Sequence, residues 1–207
     1  MSQIFPEWFN RAPLHLLLGG VVATVLAVGT VAWTFSPELT DVGYQPRQPV
    51  AFSHRLHAGE LRIDCRYCHF AVERTAVAAI PPTSTCMKCH SLVGRDLESL
   101  AALRQSAETG EPLLWVRVHN VPDFAVFPHS PHLRAGVGCQ SCHGDVAAMD
   151  ELRQSAPLSM RWCLDCHRDP RPHLRPADQL TNTRWSGPPL ASAPEVQPPT
   201  DCSACHR

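Results

Sequence analysis

One pentapeptide pattern recurs five times: Cys65-Arg66-Tyr67-Cys68-His69, Cys86-Met87-Lys88-Cys89-His90, Cys139-Gln140-Ser141-Cys142-His143, Cys163-Leu164-Asp165-Cys166-His167 and Cys202-Ser203-Ala204-Cys205-His206. The five copies use all ten cysteines. C-x-x-C-H is the attachment signature of a c-type haem: two thiols bond the macrocycle and the adjacent His ligates its iron. A zinc ribbon takes two C-x-x-C pairs per metal, so five pairs leave one over, and it gives no reason for a His after each. A disulfide framework leaves the same His unexplained. A redox C-x-x-C belongs to a strand–helix alternation that is missing around these motifs. The pattern therefore reads as five covalently bound haem c groups.

That reading constrains the fold. Beyond residue 35 the chain has 172 residues, about 34 for each of five macrocycles. This is too few to wrap each one separately, so the haems themselves must supply most of the apolar core. Twenty prolines agree, because Pro breaks helices and is kept out of central strands. The expected fold is mainly α and irregular, a multihaem cytochrome c with short helices at the motifs and little or no sheet. A net charge of −1, with no basic run interleaved with aromatics, gives no case for nucleic acid.

Residues 14–35, LHLLLGGVVATVLAVGTVAWTF, form a 22-residue apolar stretch. As a helix it spans about 33 Å, against a hydrocarbon core of about 30 Å. Trp8, Phe9, Trp33 and Phe35 flank it as interfacial aromatics do. It is longer than the apolar region of a cleaved signal and lacks a clean A-x-A site, so an uncleaved anchor is expected. His15, at its edge, reads as a headgroup-level side chain. Haem attachment takes place outside the cytoplasm. Residues 1–13 are therefore expected to be cytoplasmic, 14–35 to cross the inner membrane, and 36–51 to link the span to a periplasmic haem domain over 52–207.

Five of the twelve His belong to the motifs as proximal ligands. Four others repeat a pattern. Phe52-Ser53-His54-Arg55-Leu56-His57 ends eight residues before Cys65, and Phe127-Pro128-His129-Ser130-Pro131-His132 ends seven before Cys139. Each F-x-H-x-x-H leads into one motif, and a second motif follows. The chain thus holds two dihaem modules, 52–90 and 127–167, and a terminal haem at 202–206. Side chains at i and i+3 of a helical turn share a face, so two imidazoles there can serve two neighbouring irons. For the remaining haem the candidates are His119, His173, Met149 and Met160. His119 is favoured, because it sits in the apolar alternating run Trp115–Asn120, and a Met comes second. Residues 91–113 carry an amphipathic helix with Leu92, Leu97, Leu100 and Leu103 on one face. Residues 170–201 read as a Pro-rich arm.

The F-x-H-x-x-H modules resemble class III, cytochrome c3-like proteins. That resemblance implies His54 on the haem at Cys65/Cys68 and His129 on the haem at Cys139/Cys142, with His57 and His132 serving other haems. The single span and the segments QPVAFSHRLHAGEL, VHNVPDFAVFPHSPHLRAGVGCQSCHG and LSMRWCLDCHR resemble the membrane-anchored pentahaem subunit of alternative complex III. This resemblance implies a non-catalytic electron-transfer subunit of a quinol-oxidising respiratory or photosynthetic complex. The implied partners are polytopic quinol-oxidising membrane subunits, an iron–sulfur, molybdopterin-oxidoreductase-like subunit and a monohaem cytochrome c. Electrons would leave to a periplasmic cytochrome c, a copper protein or a terminal oxidase. Two rival readings stand beside it. One is a stand-alone membrane-anchored quinol dehydrogenase feeding periplasmic reductases, disfavoured by the 29 residues between Phe35 and Cys65. The other is a catalytic multihaem enzyme, disfavoured because all five proximal residues are His.

Overall fold

The structure is a computed structural model that describes residues 4–188 and 196–206. It divides into two units, Met1–Thr40 and Asp41–Arg207. In the first, a short turn over Glu7–Arg11 runs into α1, Ala12–Thr34. Pro13 lies in the first turn of α1, where its missing N–H costs nothing. The candidate span Trp8–Thr34 has 27 residues, mean hydropathy 2.1, and none of it is buried by protein. A helix apolar on every side and uncovered by its own chain is suited to lipid. One further turn, α2, Pro37–Thr40, closes this unit.

The second unit carries α3 (Cys65–Cys68), α4 (Thr83–His90), α5 (Ala101–Thr109), α6 (His129–Arg134), α7 (Gln140–His143), α8 (Met160–Arg168) and α9 (Cys202–Cys205). Among the described residues there is no strand, only two isolated bridges, Ala125 to His206 and Val137 to Leu174. The mainly helical, irregular architecture expected from the prolines is the one found. Its buried apolar residues are only Val50, Leu103, Val118, Met149, Ala156, Leu174 and Leu180 among those described. A unit of this size that folds on side chains alone buries far more. Phe70, Ile80, Phe124 and Phe127 are exposed beside the motifs.

The two modules hold each other through short contacts. Arg55–Glu60 forms a π-type turn that packs on the 3-10 turn Val146–Ala148. Arg55 N donates to the Met149 carbonyl at 2.8 Å. The Arg55 guanidinium meets Asp150 at 3.0 and 3.1 Å, and the Ser53 hydroxyl donates to the same carboxylate at 2.8 Å. A Cβ on Gly59 would land on the Ala147 carbonyl oxygen, a backbone atom that cannot swing aside. Gly59→Ala is therefore expected to cost about 1–3 kcal/mol and lower the melting midpoint by several degrees. A thermal melt matching wild type would contradict this packing.

Two segments differ from their sequence pattern. Within 36–51, residues 43–48 are tied to the second unit: Gly43 N donates to Gln154 O at 2.8 Å, Gln154 N to Tyr44 O at 3.0 Å, and Gln45 donates to Glu151 at 3.0 Å. The amphipathic helix is shorter than 91–113. Gly94 has φ +65°, and the helix proper starts at Ala101 and ends at Gly110, which adopts φ +76°. Leu103 is buried, but Leu92 and Leu97 are exposed. The alternating run 115–120 forms no strand, in keeping with the expected lack of sheet. Val116 instead exchanges two bonds of 2.9 Å with the Gln48 side-chain amide, which imitates a strand edge. Residues 189–195 of the Pro-rich arm, Pro189 and Pro194 included, lie outside the described residues.

Candidate functional site

Each motif sits on a short helix or at its end, and for three of the five helices a capping side chain explains why the chain turns there. The Asp64 carboxylate accepts from Arg66 N at 2.8 Å to start α3. Asp201 accepts from Ala204 N at 3.1 Å to start α9. The Ser159 hydroxyl accepts from Trp162 N at 3.3 Å to start α8. These are N-caps of the preferred residue types. One helical turn brings both Cys to one side and delivers the His at its end. None of the ten cysteines is paired in a disulfide. Burial pushes the Cys142 thiol up to about 12.

The imidazoles share a second regularity. Nδ1 faces a backbone carbonyl in seven of them: His57 to Ser53 at 2.8 Å, His69 to Ala79 at 2.8 Å, His90 to Val93 at 2.9 Å, His129 to Ala76 at 2.9 Å, His132 to Pro128 at 2.8 Å, His167 to Pro199 at 2.6 Å and His206 to Phe124 at 3.2 Å. A carbonyl only accepts, so Nδ1 carries the hydrogen and Nε2 keeps its lone pair. This is the tautomer a metal-ligating His adopts, with the outer nitrogen bonded to orient the ring. Four of these seven are motif His, and three belong to the F-x-H-x-x-H turns.

The rings also stand in pairs. Centroids of His57 and His90 lie 6.2 Å apart, those of His132 and His167 6.0 Å, and those of His129 and His143 6.4 Å with planes 11° apart. Two imidazoles on opposite sides of one metal, each bonded at about 2 Å, place their ring centres roughly 6 Å apart. The Phe of each turn touches both of its His. Phe52 lies 4.8 Å from His54 and 4.4 Å from His57, and Phe127 lies 4.9 Å from His129 and 4.5 Å from His132. The sequence repeat is thus a repeat in ring geometry.

His54 is the turn imidazole whose Nδ1 is buried with no partner. Its pKa falls to about 4, chiefly through burial and next through the nearby His69. His119 does not stand opposite a motif ring in this way. Its Nε2 lies 3.2 Å from His143 Nδ1 and the rings meet edge-on at 4.3 Å and 74°. Burial lowers His119 to about 4 and His143 to about 3. Burial also lowers His132. These buried imidazoles are therefore neutral at neutral pH, the form that donates a lone pair.

The other candidates are scattered. Met149 is buried beside Gly144, Met160 is exposed at the start of α8, and the half-buried His173 sits in the 3-10 turn Arg171–His173. Sequence reasoning passed over the capping residues Asp64, Ser159 and Asp201, although an Asp or Ser directly before a helical motif is a readable signal. It had no means of finding the carbonyls of Ala76, Ala79, Val93, Phe124 and Pro199, because any residue type offers the same acceptor.

Among the described residues no group of three or more His, Cys, Asp or Glu is arranged to hold one metal ion. Opposed imidazole pairs flanked by a Cys pair and exposed aromatic side chains are a different donor set. They fit a planar metal macrocycle bonded through two thioethers. Comparison with known proteins agrees. Residues 125–207 match the family described as cytochrome c7 and related cytochrome c. Over 141 residues, 63% of this chain, the sequence is 30% identical to the menaquinone reductase multiheme cytochrome c subunit of Nitratidesulfovibrio vulgaris strain Hildenborough. That match spans 66% of the relative's length, just under two thirds.

Proposed function

We propose, from the premise that the chain is a multihaem cytochrome c, that it is a membrane-anchored pentahaem electron-transfer subunit of a quinone-linked complex. Haem, when bound, supplies one-electron oxidation and reduction at iron. The chain's own residues attach, ligate, orient and space the five groups. The cysteine pairs 65/68, 86/89, 139/142, 163/166 and 202/205 attach them, and His69, His90, His143, His167 and His206 ligate from the proximal side. His57 is assigned opposite His90, His132 opposite His167 and His129 opposite His143. His54 is assigned opposite His69 by the repeat. The carrying observation is the set of opposed rings 6.0–6.4 Å apart whose Nδ1 atoms face backbone carbonyls or, for His143, another imidazole. Four of the five motif His would thereby share their haem with a second imidazole, which supports a role in transfer and not in catalysis.

His119 is assigned to orient His143 by accepting its Nδ1–H. The fifth site then draws its sixth ligand from outside the two F-x-H-x-x-H turns, with His173, Met149 and Met160 as alternatives. His119→Ala should leave the count of low-spin haems unchanged and shift the midpoint potential of one, since outer-shell hydrogen bonds tune the ligand. A new high-spin haem in that variant would make His119 an axial ligand itself.

The apolar α1 supports a single-pass anchor, with the haem unit on the periplasmic side of the inner membrane. Resemblance to the pentahaem subunit of alternative complex III supports electrons moving from quinol towards a periplasmic acceptor or oxidase. The relative's name, menaquinone reductase, supports a second reading in which electrons run towards quinone. Gentle solubilisation and affinity purification test the proposal. The chain should come away with polytopic membrane subunits, and the complex, not the isolated chain, should react with quinol or quinone. Quinol oxidation by the isolated chain would favour a stand-alone quinol dehydrogenase.

A further inference from the structure

We infer that the five attachment sites stand in single file in the order second, first, third, fourth, fifth, with the two modules joined head to head at Cys65 and Cys139. The inference rests on the reading that all five motifs carry haem. The order departs from that of the chain, and four groups of contacts dictate it.

The junction comes first. Cys139 N donates to the Leu180 carbonyl at 3.1 Å. Cys65 Sγ lies 3.9 Å from the carbonyl of the next residue, Thr181. The Thr181 hydroxyl donates at 3.0 Å to Asp64, the cap of α3. One dipeptide therefore touches the first cysteine of both modules. The flanking contacts are reciprocal. The first module's His-turn leans on the loop after the third motif, through Arg55 N to Met149 O and Gly59 against Ala147. The second module's His-turn leans on the loop after the first motif, where His129 N and Nδ1 face Ala76 O at 3.0 and 2.9 Å. Each His-turn thus leans on the loop that follows the first motif of the other module, through neighbouring and not equivalent residues. With both turns so placed the first and third sites are neighbours, and their module partners lie outward.

The outward steps follow from the shared phenylalanines. Phe52 touches His54 and His57, and His57 faces His90, so the second site adjoins the first. Phe127 touches His129 and His132, which face His143 and His167, so the fourth site adjoins the third. The last step goes beyond the two modules. His167 Nδ1 bonds the Pro199 carbonyl, three residues before Cys202. His206 Nδ1 bonds the Phe124 carbonyl, and Val126 N donates to Cys205 O at 2.7 Å, just before the second module's Phe127. The fifth site is thereby tied beside the fourth. The helix of the second site, α4, is held by α5, where Thr83 Oγ1 and Ser106 Oγ lie 2.8 Å apart.

The file has two ends, at Cys86/Cys89 and at Cys202/Cys205, so a donor and an acceptor are to be sought at those motifs and not at the first. A cryo-electron microscopy structure of the haem-loaded full chain in its native complex tests this through the iron positions. The expected result is that the first and third irons form the nearest pair between modules, with the second and fifth irons each having a single near neighbour. Five irons in any other order would overturn the file while leaving the pentahaem reading intact. Fewer than five irons would overturn that reading and the file together.

Discussion

Changing Cys139 and Cys142 to serine should remove one of the five proposed haems and split the remaining four into two pairs that no longer exchange electrons on the wild-type timescale. In the proposed file the third site stands between the first and the fourth, joined through Leu180–Thr181 to Cys65 and through Phe127 to the fourth site, and its removal leaves two pairs. Its loss leaves the first and fourth sites facing each other across the space one macrocycle filled. In the purified complex, rapid reduction should reach two haems and then stall, with the other two following orders of magnitude later. Changing Cys86 and Cys89 to serine provides the contrast. It also leaves four haems, but at an end of the file, so the four stay connected. Equal reduction kinetics in the two variants would contradict the ordering of the sites.

The second large effect concerns the distal imidazoles. His57→Ala and His132→Ala should each convert one haem from low to high spin and raise that haem's potential, because an axial nitrogen is lost from iron. The double variant should lose two low-spin signals, since the rings serve separate sites and stand in separate modules. Electron paramagnetic resonance of the oxidised protein counts them directly. The carbonyls of Ser53 and Pro128, each 2.8 Å from Nδ1, already hold these two rings in the ligating tautomer. A low-spin count unchanged in both variants would show that these rings do not reach iron.

Much of this site is legible in the sequence, for identifiable reasons. C-x-x-C-H fixes chemistry within five residues, and a helical turn is enough to present it. The F-x-H-x-x-H repeat is equally local, so the two turns, their stacked Phe rings and their spacing to the next motif could be read from the chain. The partner of each second His could not be read. An i, i+3 pair says only that two irons are served, and His57 meets His90 through the packing of elements far apart in sequence. His119 shows the limit of pattern reasoning. Alternation in 115–120 resembles a buried strand, yet Gln48 supplies the hydrogen bonds a strand would have made, and the ring ends against His143. Leu92 and Leu97 satisfied a helical period, but a left-handed Gly94 interrupts it. The junction at Leu180–Thr181 carries little sequence signal, because two of its three contacts go to backbone carbonyls.

Everything above depends on five haems being attached to one chain. Intact-mass spectrometry of the protein, purified from cells with their own maturation system and analysed under denaturing conditions, measures this most directly. The account predicts a single species heavier than the polypeptide by five haem groups, none removed by acid extraction. A chain of unmodified mass, or one carrying fewer than five haems with free thiols at any of the ten cysteines, would contradict it.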